Sequence, residues 1–165
     1  MKERKKIVIY GDSISTCLFG GGGYAGYLKE KFSAEVLNYA ISGSGLSLAT
    51  PENTISILRE DKNIPEDADL IIMWHGTNDW YWGSTLGTPE SSDSNTFYGA
   101  IKEAVERIRK KAPNAVMVWL TPVFRYQMPD GGTREGKAYE TKNKAGYERV
   151  WHVLERGIEE VKWLE

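Results

Sequence analysis

Lys6-Ile7-Val8-Ile9-Tyr10-Gly11-Asp12-Ser13-Ile14-Ser15 is the stretch from which the rest of the chain can be read. After Lys6 the run to Tyr10 is apolar without alternation, then Gly11-Asp12-Ser13 breaks it. Continuous apolar runs fit strands covered on both faces, as in a parallel sheet. Leu70 to Trp74 and Ala115 to Leu120 have the same character, and Glu35 to Tyr39 is a weaker fourth run. Each run is followed by a region able to form a helix. Strand and helix in repeated succession imply right-handed crossovers, hence a parallel sheet with helices on both faces.

The helices are legible from spacing. Tyr24 to Phe32 sets Tyr24, Tyr27, Leu28 and Phe32 on one face. A second helix is expected to begin near Thr50-Pro51-Glu52, with Pro at the first helical position, and to bury Ile55 and Leu58 with Ile57 alongside. Asn95 to Lys111 is the clearest, with Phe97, Ala100, Ile101, Ala104 and Ile108 on one stripe. Lys110 and Lys111 suit the negative end of its dipole, and Pro113 stops it. A last helix is expected from about Asn143 to Val161, carrying Tyr147, Val150, Trp151, Leu154, Ile158 and Val161. Two long loops, Trp80 to Ser94 and Thr121 to Thr141, follow strand C-termini, where open α/β sheets place their active sites.

Composition bounds the function. The 165 residues are 41% hydrophobic and 27% charged, enough for one core, so a single domain over 1–165 is expected. With a formal charge of −2 there is no electrostatic case for nucleic acid as a partner. The basic run Lys2 to Lys6 reads as a solvated lead-in to the first strand. No stretch approaches the ~20 apolar residues of a membrane helix. Nor is the short apolar run behind the basic residues a secretion signal. The lone Cys17 forbids an intrachain disulfide. A cytoplasmic location is expected, with secretion after processing as the alternative.

Chemistry is concentrated at three strand ends. Gly11 permits a tight turn, Asp12 can hold it through its side chain, and Ser13 then presents a hydroxyl. After the second strand comes Asn38-Tyr39-Ala40-Ile41-Ser42-Gly43-Ser44-Gly45, whose small residues leave backbone N–H groups accessible. After the third comes His75-Gly76-Thr77-Asn78-Asp79. A glycine N–H and an uncharged Asn amide make a suitable donor pair for an oxyanion. Taken singly, each segment also reads as an ordinary turn or cap.

Together, Gly11-Asp12-Ser13, Asn38 through Gly43 and Gly76-Thr77-Asn78-Asp79 resemble, in order and spacing, the first three blocks of the SGNH (GDSL-type) hydrolases over nearly the whole chain. That resemblance implies a flavodoxin-like α/β/α sandwich and serine ester hydrolysis. It makes Ser13 the nucleophile. The oxyanion donors would be the Ser13 N–H, the Gly43 N–H and the Asn78 side chain, with Gly45 the alternative to Gly43. Asp79 is assigned to holding the loop. The family's last block, Asp-x-x-His after a fifth strand, has no counterpart in these 165 residues. On that basis the last strand and helix are expected to be missing and the domain to be C-terminally truncated.

The two histidines, His75 and His152, are therefore weighed as the base. His152 follows Glu148 by one helical turn, yet at about 100° per residue it points away from the apolar stripe of its helix. His75 lies beside the proposed oxyanion loop, and the reading preferred for it is a side chain turned into a helix layer. Without a base a Ser hydroxyl is a weak nucleophile, so a catalytically inactive binding module is the competing reading. A strand-completing partner chain or a homo-oligomer is a further option.

Trp80, Tyr81 and Trp82 are expected to line the substrate site, with Phe124 and Tyr126 nearby. Such aromatics could stack on a sugar ring, so the expected substrate is a short-chain ester or a carbohydrate O-acetyl ester. No metal and no cofactor are expected. The Gly21-Gly22-Gly23-Tyr24-Ala25-Gly26 pattern begins about ten residues beyond the strand, too far for a dinucleotide pyrophosphate.

Overall fold

The computed structural model describes residues 4–17 and 23–122. Four parallel strands stand in the order β2-β1-β3-β4: β1 Lys6–Gly11, β2 Glu35–Asn38, β3 Leu70–Trp74 and β4 Val116–Leu120. Ile7 stands opposite Val36 on one side and Leu70 on the other, and Leu70 in turn faces Val116. The helices are α1 Gly23–Lys31, α2 Thr54–Leu58, α3 Thr77–Trp82 and α4 Phe97–Lys111.

The unbroken apolar runs exist because alternate residues of each strand serve different layers. Val8, Tyr10, Ile71 and Met73 pack with Ile55 and Leu58 of α2 and with Ala100, Ala104 and Ile108 of α4. Ile7, Ile9, Leu70, Ile72 and Trp74 pack with Leu28 of α1 and Ala34. All five residues of β3 are buried. Each such side chain contributes roughly 1.5–3 kcal/mol by leaving water. The result is the expected three-layer α/β/α sandwich. Because β1 lies between β2 and β3, the strand order reverses beside it, and the C-terminal ends of β1 and β3 flank the crevice that such sheets use for ligands.

Several local expectations need correction. α2 begins at Thr54, not near Thr50. Asn53 supplies the cap, accepting from Ser56 N at 2.9 Å, while the Thr50 hydroxyl is spent on Ser47 O and Glu52 O. Tyr27 is 62% exposed. It stands about 100° from buried Leu28 around α1, off the face that meets the sheet. α4 begins at Phe97 with Thr96 as its cap. The segment expected as a loop from Trp80 opens inside α3. The helix expected over 143–161, and Phe124, Tyr126 and His152, lie outside the described residues.

Candidate active site

Ser13 sits on a turn held almost wholly by its neighbours. Asp12 O accepts from Ser15 N (3.0 Å) and Thr16 N (3.1 Å). Asp12 Oδ1 accepts from Ile14 N (2.9 Å), and Thr16 Oγ1 donates to Ser13 O (2.8 Å). These bonds close one helical turn whose crest is Ser13. Its side chain is exposed, and neither its N–H nor its hydroxyl makes a hydrogen bond among the described residues.

Beneath the crest lies a brace that the sequence did not announce. Tyr24 Oη donates to buried Ser15 Oγ (2.8 Å), and Asn38 Nδ2 donates to Ser15 O (2.7 Å). Ser15 approaches β1 so closely that a Cβ on Gly11 would lie 2.3 Å from its Oγ. Glycine is therefore required there by contact rather than by its backbone angle. Burial raises the pKa of the Tyr24 hydroxyl and keeps it protonated as a donor.

The loop after β2 is tied to both neighbouring strand ends. Ile41 N donates to Gly11 O (3.0 Å). Ser44 Oγ lies 2.8 Å from Ile41 O and 3.2 Å from Gly11 O. On the far side Asn78 Nδ2 donates to Ser44 O (2.8 Å). Asp79 accepts from Leu46 N and Ser47 N, both at 2.8 Å, so its expected loop-holding role is what the structure displays. Gly43, at φ 81°, has open space where a Cβ would project. Its N–H makes no hydrogen bond among the described residues. Gly45 differs: its N–H donates to Glu52 O, and a Cβ there would meet Thr50 and Asp79. Of the two glycines, only Gly43 has an N–H to spare.

β3 delivers Asn78 through Gly76, whose φ of 124° starts α3 and whose missing Cβ makes room for Pro122. Asn78 is buried. One amide hydrogen goes to Ser44 O, leaving the other for a ligand. On α3, Tyr81 and Trp82 fall three and four residues beyond Asn78 and so share its side, whereas Trp80 falls on the opposite side. Tyr81 is 37% exposed and meets Trp82 edge-on, with ring centroids 5.5 Å apart.

The structure turns His75 away from any role as base. Alternation along β3 places it on the face of Ile71 and Met73, toward α2. Its ring is buried, and Nε2 lies 2.7 Å from Thr54 Oγ1. Burial lowers its pKa from 6.5 to about 3, so the ring is neutral near pH 7, but it is engaged with α2 rather than with Ser13.

A cleft of about 490 Å³ lies elsewhere, along α4 between Ser94, Lys102, Glu103 and Arg107, and none of the residues above lines it. Among the described residues no three His, Cys, Asp or Glu side chains come together as a metal site would require. No described helix is long and apolar enough to cross a membrane.

This arrangement agrees with what the chain resembles. A GDSL-like candidate lipase from Bacteroides ovatus superimposes with a TM-score of 0.68 at 17% identity, covering 96% of this chain and 100% of that one. One from Bacteroides uniformis gives 0.67 at 15% identity, covering 98% and 97%. A family two carbohydrate esterase from Clostridium thermocellum, solved with cellohexaose, gives 0.53 at 19% identity, covering 75% of this chain and 45% of that one. At these identities the superpositions show the fold. No curated protein matches the chain significantly. The family model for GDSL-like lipases and acylhydrolases matches residues 9–151, and the chain belongs to the GDSL-like lipase/acylhydrolase family.

Proposed function

We propose that this hydrolase-family chain is a serine ester hydrolase with Ser13 as its nucleophile. The observation that carries the reading is that adjacent strand ends hold three donors without a hydrogen bond among the described residues: the Ser13 N–H, the Gly43 N–H and one hydrogen of the Asn78 amide. Ser13 Oγ attacks the acyl carbonyl, and the developing oxyanion takes hydrogen bonds from those three groups. Collapse expels the alcohol, and water then releases the acyl group from Ser13. Each such donor is typically worth ~10²–10³-fold in rate. With His75 held on Thr54, His152 is the other candidate in these 165 residues for the base that takes the Ser13 proton and returns it to the alcohol.

The substrate proposed is a short-chain or carbohydrate O-acetyl ester. The exposed Tyr81 beside Asn78 supports a sugar-stacking face, as does the likeness in fold to a carbohydrate esterase. A second reading, a binding module that keeps the pocket without turnover, is favoured by the engagement of His75 with Thr54. Hydrolysis of p-nitrophenyl acetate by the chain and by Ser13→Ala decides between them. The expected outcome is turnover that falls at least ~10³-fold in the variant. Equal background rates would overturn the esterase reading in favour of the binding module.

A further inference from the structure

The reaction just described makes no use of Asp79, although Asp79 is buried next to Asn78 in the chain and bonded to the loop that carries Gly43. One carboxylate oxygen takes the N–H of Leu46 and the other that of Ser47. The carboxylate also packs on the loop backbone, since a Cβ on Gly45 would lie 2.9 Å from Oδ2. The preceding residue, Asn78, takes hold of Ser44 O. Three loop residues, Ser44, Leu46 and Ser47, are thus fastened to a single turn of α3. At the other end Ile41 N and Ser44 Oγ fasten the loop to Gly11 O. Gly43 lies between these anchors, and among the described residues no hydrogen bond of its own fixes it. The direction of its N–H follows from where the anchors stand.

We propose that Asp79 is a positioning residue: its carboxylate sets the aim of the Gly43 N–H and the Asn78 amide, so that both converge with the Ser13 N–H. The inference rests on the ester-hydrolase reading above. A carboxylate suits the task because both its oxygens accept. An amide in its place would accept at one atom and press an NH₂ against the other backbone N–H. Charge-assisted bonds are also shorter and stronger than neutral ones, which tightens the geometry. Burial raises the Asp79 pKa, and two backbone donors with the Ser47 hydroxyl offset part of that cost. Had packing been the whole requirement, an apolar residue would have met it.

The test is Asp79→Asn in the full chain, read by kcat and KM for p-nitrophenyl acetate and by affinity for phenylboronic acid. The boronate forms an anionic tetrahedral adduct on a serine and so reports the donor pocket even where turnover is absent. Expected are a kcat lower by about 10²-fold, a KM within about threefold of the native value, and a boronate affinity reduced in step with kcat. A variant whose kcat per folded molecule and boronate affinity both stay within about threefold of native overturns the inference, whatever its melting temperature. Ser13→Ala, run alongside, separates the two claims. Boronate binding that survives in Ser13→Ala, or is lacking in the native chain, sinks the nucleophile reading and this inference with it. Binding lost in Ser13→Ala but kept in Asp79→Asn sinks the positioning role alone.

Discussion

The two halves of the site are held together in opposite ways. The turn that carries Ser13 is closed by bonds reaching two to four residues along the chain, from Asp12 to Ile14, Ser15 and Thr16. The loop that carries Gly43 is closed by bonds reaching across 32 to 34 residues, from Ser44, Leu46 and Ser47 to Asn78 and Asp79. The nucleophile turn is closed by its own neighbours, with Tyr24 and Asn38 bracing it from outside at Ser15. The oxyanion loop acquires its shape only when β2, β3 and α3 are already in place. A local hydrogen-bonded turn fails alone, whereas a tertiary clamp fails with the sheet around it.

Acid is the strongest way to strain the tertiary half. His75 and Thr54 join the end of β3 to α2, and the ring sits there neutral with its pKa lowered from 6.5 to about 3. Between those values the unfolded chain binds a proton that the folded chain refuses. The stabilisation is therefore whole above pH 6.5 and is lost as pH falls toward 3, at up to about 1.4 kcal/mol per unit. Urea unfolding should show about 2 kcal/mol less stability at pH 5 than at pH 7.5. His75→Gln should flatten that dependence. A native chain equally stable at both values would mean that His75 protonates in place, and that the link to α2 yields without unfolding.

The local half should respond less and more narrowly. Asp12→Ala removes the side-chain bond to Ile14 N, a loss comparable to that of a helix cap, so about 1 kcal/mol is expected in thermal or urea unfolding. Hydrogen exchange at the Leu46 and Ser47 amides should not change. Faster exchange at those two positions in Asp12→Ala would show that the halves are coupled through Gly11, whose carbonyl accepts from the oxyanion loop.

The same division explains what could be read in advance. β3 was delimited to the residue, because a strand buried on both faces writes its limits into an apolar run. The Asp12 turn was legible because donor and acceptor are neighbours. Asn78 is legible from its chemistry at the end of β3 and from the resemblance together, and the loop-holding part given to Asp79 matches its bonds. What stayed hidden was which atoms meet across the fold: Tyr24 on Ser15, Asn38 on Ser15 O, Thr54 on His75. The cap of α2 does leave a local trace: Asn53 stands three residues before Ser56, the spacing of a cap and the N–H it accepts, but Thr50-Pro51 is the louder signal because Pro favours the start of a helix. Alternation from Ile71 through Met73 carries His75 into the α2 layer, the placement preferred for it from the sequence. Tyr27 was misjudged because α1 is a single-faced helix of nine residues, in which 100° of rotation separates core from water.

Distance along the chain is not what gives the oxyanion clamp its strength, and Glu103 can show this. Arg59, just beyond α2, grips Glu103 of α4 at 2.8 and 2.9 Å across 44 residues. Arg107 adds a contact at 2.7 Å, and the Ser94 hydroxyl donates to the same carboxylate. In span this link exceeds the Asp79 clamp, but Arg59 is 46% exposed, and water screens what it gains. The contacts lower the Glu103 pKa from 4.5 to about 2, the Arg59 hydrogen bond foremost. The folded carboxylate is thus favoured above pH 4.5, and that preference is lost as pH falls through 2. At pH 7, Glu103→Gln should cost no more than about 1 kcal/mol, and less in molar salt. Urea midpoints for native and variant chains at low and high ionic strength measure it. A loss as large as that from breaking a buried link, and unmoved by salt, would mean that long span alone makes a tie strong.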